Sequence, residues 1–305
     1  MNIFVVIVTY NGMQHDWIDK CLTSIKNSSV PATAVVVDNC SSDDTVSYIA
    51  KHHPEVVCMP QDKNLGFGQA NNKGIVYAIQ QKADFVILLN QDATLHPSAI
   101  EEMVSVSDGK SVLSPLHLNA TGEKLDEMFR ISLNHADGQL LSDLLIDKGL
   151  KEYYQAGEIC AACWMLPVSV IRMIGGFNPL YFHYGEDNNY YQRMVYHHIP
   201  MLLVPKARMY HDRLFYGNPV AHQHKRVHRD MLNIVCDINL SFTKRLFETA
   251  RAIVRAYAYD MPAKAYRPGG FLKELLWCVG NMSRIRRSRS KEKETGLTWL
   301  QTDTE

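Results

Sequence analysis

Residues 3–12 read IFVVIVTYNG, and this stretch decides the fold. Six apolar residues run without interruption, and the polar Thr9, Tyr10 and Asn11 follow at once. A strand with one wet face alternates; a continuous run is buried on both faces, as in a parallel sheet covered by helices. Working outward, residues 34–38 (AVVVD), 56–59 (VVCM) and 84–90 (DFVILLN) have the same character. Between them lie helical spacings: Trp17, Cys21 and Ile25; Val46 and Ala50; Ala70, Ile75, Ala78 and Ile79. Ser41 and Asp44 are placed to form a capping box before the second helix. Strands alternating with helices predict βαβ units and a mostly parallel sheet.

Farther along, a helix is expected over 98–106 and strands over 159–166 and 201–204. The stretch 116–150 is polar and poorly periodic and reads as a long excursion. From about His222 the pattern is helical, with Phe242, Leu246, Ala250, Ile253 and Tyr257 on one apolar stripe. Residues 284–293 carry Arg284, Arg286, Arg287, Arg289, Lys291 and Lys293.

The chain has 305 residues, 46% hydrophobic and 21% charged, as expected of a globular enzyme with a sizeable core. Its net charge of zero is split. Residues 1–221 hold 16 Lys/Arg against 23 Asp/Glu, and 222–305 hold 16 against 9. That shift predicts an acidic catalytic domain over 1–215, a helical extension over 216–283 and a basic, disordered tail over 284–305. Seven scattered cysteines predict reduced thiols in the cytoplasm rather than a disulfide framework. No basic leader and no apolar stretch of membrane-spanning length is present, so the protein is expected to be soluble, or peripheral at the inner face of a membrane. The basic tail lacks interleaved aromatics, which argues against nucleic acid and for an anionic lipid surface.

Ligands of open α/β sheets bind beyond the carboxyl ends of the strands. Here those ends carry Thr9-Tyr10-Asn11, Asp38-Asn39 and Asn90-Gln91-Asp92. Neither GxGxxG nor GxxxxGK[ST] follows a strand, so a nucleotide would be held without a glycine-rich cradle, its diphosphate neutralised by a hard cation on carboxylate oxygens.

The segments VVIVTYNG (5–12), VVVDNCSSDDT (35–45), NLGFGQANNKGI (64–75), FVILLNQDATL (85–95) and GGFNPLYFHYGEDNNYYQR (175–193), in this order, resemble the family-two glycosyltransferases, especially their rhamnosyltransferase-like branch. The resemblance covers residues 3–211. It implies an α/β GT-A fold (Rossmann-like, with a mostly parallel central sheet), followed here by a C-terminal helical extension. It also implies inverting transfer of a sugar from a nucleotide diphosphate, dTDP-rhamnose or a UDP-sugar, to a hydroxyl of a glycan or lipid-linked saccharide in polysaccharide biosynthesis. Carried over by position, Thr9, Tyr10 and Asn11 contact the nucleoside and Asp38 accepts from the base imide. Asn39, Asn64, Gly66, Asn71 and Asn90 line the donor. Asp92 matches the last carboxylate of the DxD motif, whose first position is the amide Asn90, and His211 joins it in holding Mg²⁺ or Mn²⁺.

Displacement at the anomeric carbon needs a base for the incoming hydroxyl and charge stabilisation for the departing diphosphate. Asp187, second of the ED pair, is the expected base; Glu186 orients the site or touches the acceptor. Gly175-Gly176 is expected to let the loop carrying that pair approach closely. Each acid also has a plainer reading, as a helix cap or a solvated side chain. Cys160 and Cys163 form a CxxC without a second pair at ligand spacing; the resemblance places them on the pocket floor. The rival functions are a nucleotidyltransferase, which would carry a basic glycine-rich loop after the first strand, and a catalytically inactive binding protein of the same fold.

Overall fold

The computed structural model describes residues 1–133, 138–213, 219–255 and 268–300. The expected boundary at 215, Tyr257 and the side chain of Ile253 in the expected stripe, and residues 301–305 lie outside the described residues.

Four parallel strands form the N-terminal half of the sheet. They are β1 (Ile3–Thr9), β2 (Thr33–Asp38), β3 (Val57–Pro60) and β4 (Phe85–Asn90). Helices α1 (Trp17–Lys26), α2 (Thr45–His52) and α3 (Phe67–Gln80) connect them. As the unbroken apolar run requires, β1 is buried on both sides. Phe4 and Val6 join the core under α3, whereas Ile3, Val5 and Ile7 join the core under α1. The expected capping box is not formed: α2 starts at Thr45 with Asp44 as its N-cap, so Ser41 lies outside the helix, and Ser41 Oγ accepts from Asn11 N–H at 2.9 Å instead.

The second half is mixed. It contains β5 (Ala93–Leu95), α4 (Ala99–Ser105), β6 (Val112–Asn119), α5 (Glu127–Leu133), α6 (Gln139–Leu145), β7 (Tyr154–Ala156), β8 (Cys163–Pro167), α7 (Val168–Ile174), α8 (Glu186–Tyr196) and β9 (Met201–His211). The strand order is β3-β2-β1-β4-β8-β6-β9-β5, with β7 also on β9. Among the described residues four of the eight pairings are parallel, so the expectation of a mostly parallel sheet holds for the N-terminal half alone. The excursion expected over 116–150 begins inside β6 and includes α5 and α6.

β6 and β9 run in register from Val112↔Met201 to Pro115↔Val204, then resume at Leu116↔Arg208. Pro205 lies in the skipped part of β9; a proline cannot donate to a ladder and belongs at such irregularities. Past the bulge, β9 reaches β5, where His211 pairs with Ala93. This crossing sets Asp92 beside His211.

The C-terminal helices are α9 (Pro219–Cys236), α10 (Phe242–Arg255), α11 (Pro268–Gly280) and α12 (Met282–Glu292). The basic segment is therefore not a disordered tail. Ile285, Ser288 and Glu292 of α12 are buried, and Asn178 Nδ2 donates to Ser288 Oγ at 2.7 Å and to Glu292 Oε1 at 2.5 Å. Residues 296–300 then cross the Gly175-Gly176 turn. Gly176 N–H donates to the Thr298 carbonyl at 2.8 Å, and a Cβ on Gly175 would lie 2.0 Å from that oxygen. These glycines thus admit the C-terminal segment, a different neighbour from the one expected.

Candidate active site at the carboxyl ends of the strands

The ends of β1 and β4 are locked together by Gln91. Gln91 Oε1 accepts from Thr9 Oγ1 at 2.6 Å and from Tyr10 N–H at 2.9 Å, and Gln91 Nε2 donates to the Tyr10 carbonyl at 3.2 Å. Thr9 is buried and the Tyr10 ring is exposed above the edge. Asn11 has a left-handed backbone (φ 51°), and its Oδ1 accepts from Ser42 N–H at 2.9 Å, joining the β1 loop to the β2 loop.

Asp38 ends β2 with its carboxylate fixed by Ser41: Oδ1 accepts from Ser41 Oγ at 2.5 Å and Oδ2 from Ser41 N–H at 3.0 Å. Each oxygen keeps a lone pair for a further donor. Asn39 Nδ2 donates to Asn64 Oδ1 at 3.0 Å, and Asn39 Oδ1 accepts from Leu65 N–H at 2.7 Å. Gly66 then turns with φ 78°, where a Cβ would lie 1.9 Å from the Phe182 carbonyl oxygen. Only a glycine lets the 64–66 loop meet the loop that leads into α8. Asn71 is buried in α3 and donates to the Phe67 carbonyl at 3.0 Å.

Asp92 and His211 form the next group, with His211 Nε2 3.1 Å from Asp92 Oδ1. On the other side of the ring, Arg213 Nη2 lies 3.2 Å and Asp126 Oδ2 3.7 Å from His211 Nδ1. Asp126 accepts from Arg213 Nε at 3.1 Å and from the Phe129 N–H at the start of α5 at 3.0 Å. Burial alone would raise the Asp126 carboxyl, but Arg213 and the α5 amide outweigh it and hold it below the usual value. Behind them His117 is buried 3.1 Å from Ser114 Oγ, and burial pushes its imidazole down to about 3, so it is neutral.

Among the described residues no three His, Cys, Asp or Glu side chains converge as a metal cage. Two adjacent ligands about 2.1 Å from one octahedral ion lie about 3 Å apart, close to the 3.1 Å between His211 Nε2 and Asp92 Oδ1. That contact is a hydrogen bond as it stands; a divalent cation there would replace it and would draw its remaining ligands from a diphosphate and water.

Glu186 and Asp187 open α8, behind the left-handed Gly185 (φ 93°). Asp187 Oδ2 faces Ala161 N–H at 3.4 Å, and the neighbouring Ala162 carbonyl accepts from Asn90 N–H at 3.0 Å. Two residues before β8 thus tie the acidic helix start to the end of β4. Burial pushes the Asp187 carboxyl above its usual range. Burial, then the Asp187 charge, push Glu186 up to about 8, and its Oε2 is buried without a hydrogen-bond partner among the described residues. A third acid, Glu158, accepts from Asn188 Nδ2, and burial followed by Asp187 raises it to about 7. Acids displaced this far by burial and like charge are typical of catalytic sites.

The structure thus brings the predicted residues together in connected groups along one sheet edge. Asp126, Glu158 and Arg213 were not expected, and Gln91, placed at the strand end, was given no role of its own. A polar residue between Asn90 and Asp92 was a usable signal for Gln91; the other three lie in segments without a motif. Cys160 and Cys163 are free thiols raised by burial, Cys160 to about 12, which makes them poor metal ligands or nucleophiles.

The chain resembles N-acetylglucosaminyl-diphospho-decaprenol L-rhamnosyltransferase of Mycobacterium tuberculosis, at 23% identity over 236 residues, 68% of this chain and 75% of the relative. It also resembles dTDP-rhamnosyl transferase RfbF of Shigella flexneri, at 23% identity over 215 residues and 69% of each chain. Among solved structures, S. aureus TarS in complex with UDP superposes with a TM-score of 0.56 at 14% identity, over 96% of this chain and 88% of that one. GalNAc-T7 with UDP, GalNAc and Mn²⁺ superposes with a TM-score of 0.64 at 15% identity, over 98% of this chain and 56% of that one. The expected GT-A fold with appended C-terminal helices is thereby established. Residues 4–174, more than half of the chain, match glycosyl transferase family 2, and the chain is a glycosyltransferase belonging to that family.

Proposed function

We propose that this enzyme transfers a hexosyl or deoxyhexosyl unit from a pyrimidine nucleotide diphosphate to a hydroxyl of a growing glycan or lipid-linked saccharide, with inversion at the anomeric carbon, in polysaccharide biosynthesis. One observation carries this reading: Asp187 and the Asp92–His211 pair stand at one sheet edge, the former tied through Ala161 and Ala162 to the strand that ends just before Asp92. dTDP-rhamnose is the first donor and a UDP-sugar the second, because two relatives bear rhamnosyltransferase names.

In this reading Thr9, Tyr10 and Asn11 border the nucleoside, and Asp38, held still by Ser41, accepts from the base imide. Asn39, Asn64 and Gly66 shape the donor loop, with Asn71 and Asn90 beside it. Asp92 and His211 would hold Mg²⁺ or Mn²⁺, which as a Lewis acid neutralises charge on the departing diphosphate. Asp187 takes the proton of the attacking hydroxyl as the new C–O bond forms and the bond to the diphosphate breaks. Its elevated pKa makes it a stronger base than a free carboxylate. Glu186 keeps its proton near neutral pH and donates toward the acceptor from a buried position. A lipid-linked acceptor places the enzyme at the inner face of a membrane, where the exposed Arg284, Arg286 and Arg287 of α12 meet anionic headgroups.

The test is a transfer assay with dTDP-rhamnose and UDP-sugars against N-acetylglucosaminyl-diphospho-polyprenol, the anomeric configuration of the product read by NMR. Asp187→Asn is expected to lower kcat by about 10²–10⁴-fold with nucleotide binding unchanged. Full turnover in that variant would remove Asp187 from the role of base.

A further inference from the structure

α10 is docked with its polar side toward the protein. Arg245, Glu248, Thr249 and Ala252 are half-buried where the helix packs on α9. Phe242, Leu246, Phe247 and Val254 point away and are 64–72% exposed. At 3.6 residues per turn, these four and the exposed Ala250 fall within an arc of about 140°. Lys244, Arg251 and Arg255, all exposed, line one flank of that arc.

α11 also leaves an apolar face outside, although its α9 side is largely apolar too. Cys278 is buried and Trp277 and Glu274 half-buried on the α9 side, with Glu274 Oε2 2.5 Å from His228 Nδ1. Leu272, Leu275, Leu276 and Val279 form an i, i+3, i+4, i+7 stripe on the outside, 36–62% exposed, and Met282 continues it at 39%. Amphipathic helices on a protein surface ordinarily face the other way, apolar side to the core. α10, docked polar side inward, and α11, apolar on both sides, together expose far more apolar surface than scattered single residues do, and such patches mark interaction sites.

We infer that the outer faces of α10 and α11 are a docking surface for an anionic lipid bilayer, with their apolar side chains seated among the acyl chains just below the headgroups. Charge selects this occupant. Residues 242–255 and 268–293 carry eleven Lys/Arg against three Asp/Glu, among them the exposed Arg284, Arg286 and Arg287 of α12. Basic residues beside a Phe/Leu/Val face are the composition of a helix lying in the bilayer interface. Among the described residues no helix is long and apolar enough to cross a membrane, so the attachment is to one leaflet. The inference deepens the proposed lipid-linked acceptor, on which its purpose rests, and assigns the main contact to α10 and α11 rather than to a free basic tail.

Flotation of the full chain with phosphatidylglycerol/phosphatidylethanolamine vesicles, and with phosphatidylcholine vesicles, tests it. The wild-type chain is expected to float with the anionic vesicles and to be released by salt. F242S/L246S/F247S on α10, and separately L272S/L276S on α11, are expected to lower that binding about tenfold or more. These positions are exposed, so thermal unfolding and nucleotide binding should stay at wild-type values in both variants. Nucleotide binding is read in the same samples, so failure of the glycosyltransferase reading would be seen there, independently of flotation. Absence of vesicle binding by the wild-type chain, or unaltered binding by both variants, overturns the inference. A wild-type dimer that ignores vesicles and dissociates on the same substitutions overturns it in favour of a second copy of this chain.

Discussion

Asp187, Glu186 and Glu158 owe their raised pKa values first to burial. Burial raises all three carboxyl groups, and the Asp187 charge raises Glu158 and Glu186 further. For Glu158 the folded value is about 7 against an ordinary 4.5, so between these pH values the folded chain holds a proton that the unfolded chain has released. Stability from this group is therefore fully present below pH 4.5 and is lost as pH rises through about 7. Glu158→Gln, which keeps an oxygen for Asn188, is expected to raise the unfolding free energy at about pH 8 by on the order of 1–3 kcal/mol and to leave it unchanged near pH 4. Urea unfolding at the two pH values checks this; an equal gain at both would mean that ionisation is not the cause.

Two elements do work that their sequences barely advertise. β9 reads apolar only over Met201–Val204, yet the bulge at Pro205 carries it on to His211 and so builds the Asp92–His211 pair. α12 reads as a solvated charge run, yet Ile285 and Glu292 anchor it and Arg289 donates to the Val235 carbonyl at 3.3 Å. Ile285→Ala is expected to cost about 2–5 kcal/mol in chemical denaturation, as for other large-to-small changes at fully buried sites. A loss below half a kcal/mol would mean that α12 is not held to the body. The same packing means that truncation at residue 284 removes buried Ile285 and Leu300, so it would unfold part of the core rather than probe membrane contact.

Across the whole molecule, what could be read in advance was what depends on local pattern. β1 to β4 stood out because strands buried on both faces are continuous apolar runs, and the site loops because they follow those strands. β6 was hidden because Ser114, Pro115 and His117 break its apolar run, and those residues are buried through partners the sequence does not show, such as the Ser114–His117 bond. Asp126 was hidden because its partner Arg213 lies 87 residues away. The inverted face of α10 was visible as a stripe, but a stripe does not say which way it faces; the burial of Arg245 and Glu248 does.

The central claim is that this sheet edge binds a pyrimidine nucleotide diphosphate with help from a divalent cation at Asp92 and His211. Calorimetric titration with dTDP, dTDP-rhamnose, UDP and UDP-sugars, each with and without Mn²⁺, tests it most directly. Binding of one pyrimidine nucleotide, strengthened by Mn²⁺ and no longer strengthened in Asp92→Ala, is the expected result. Absence of binding by every pyrimidine nucleotide in the presence of Mn²⁺ would contradict it.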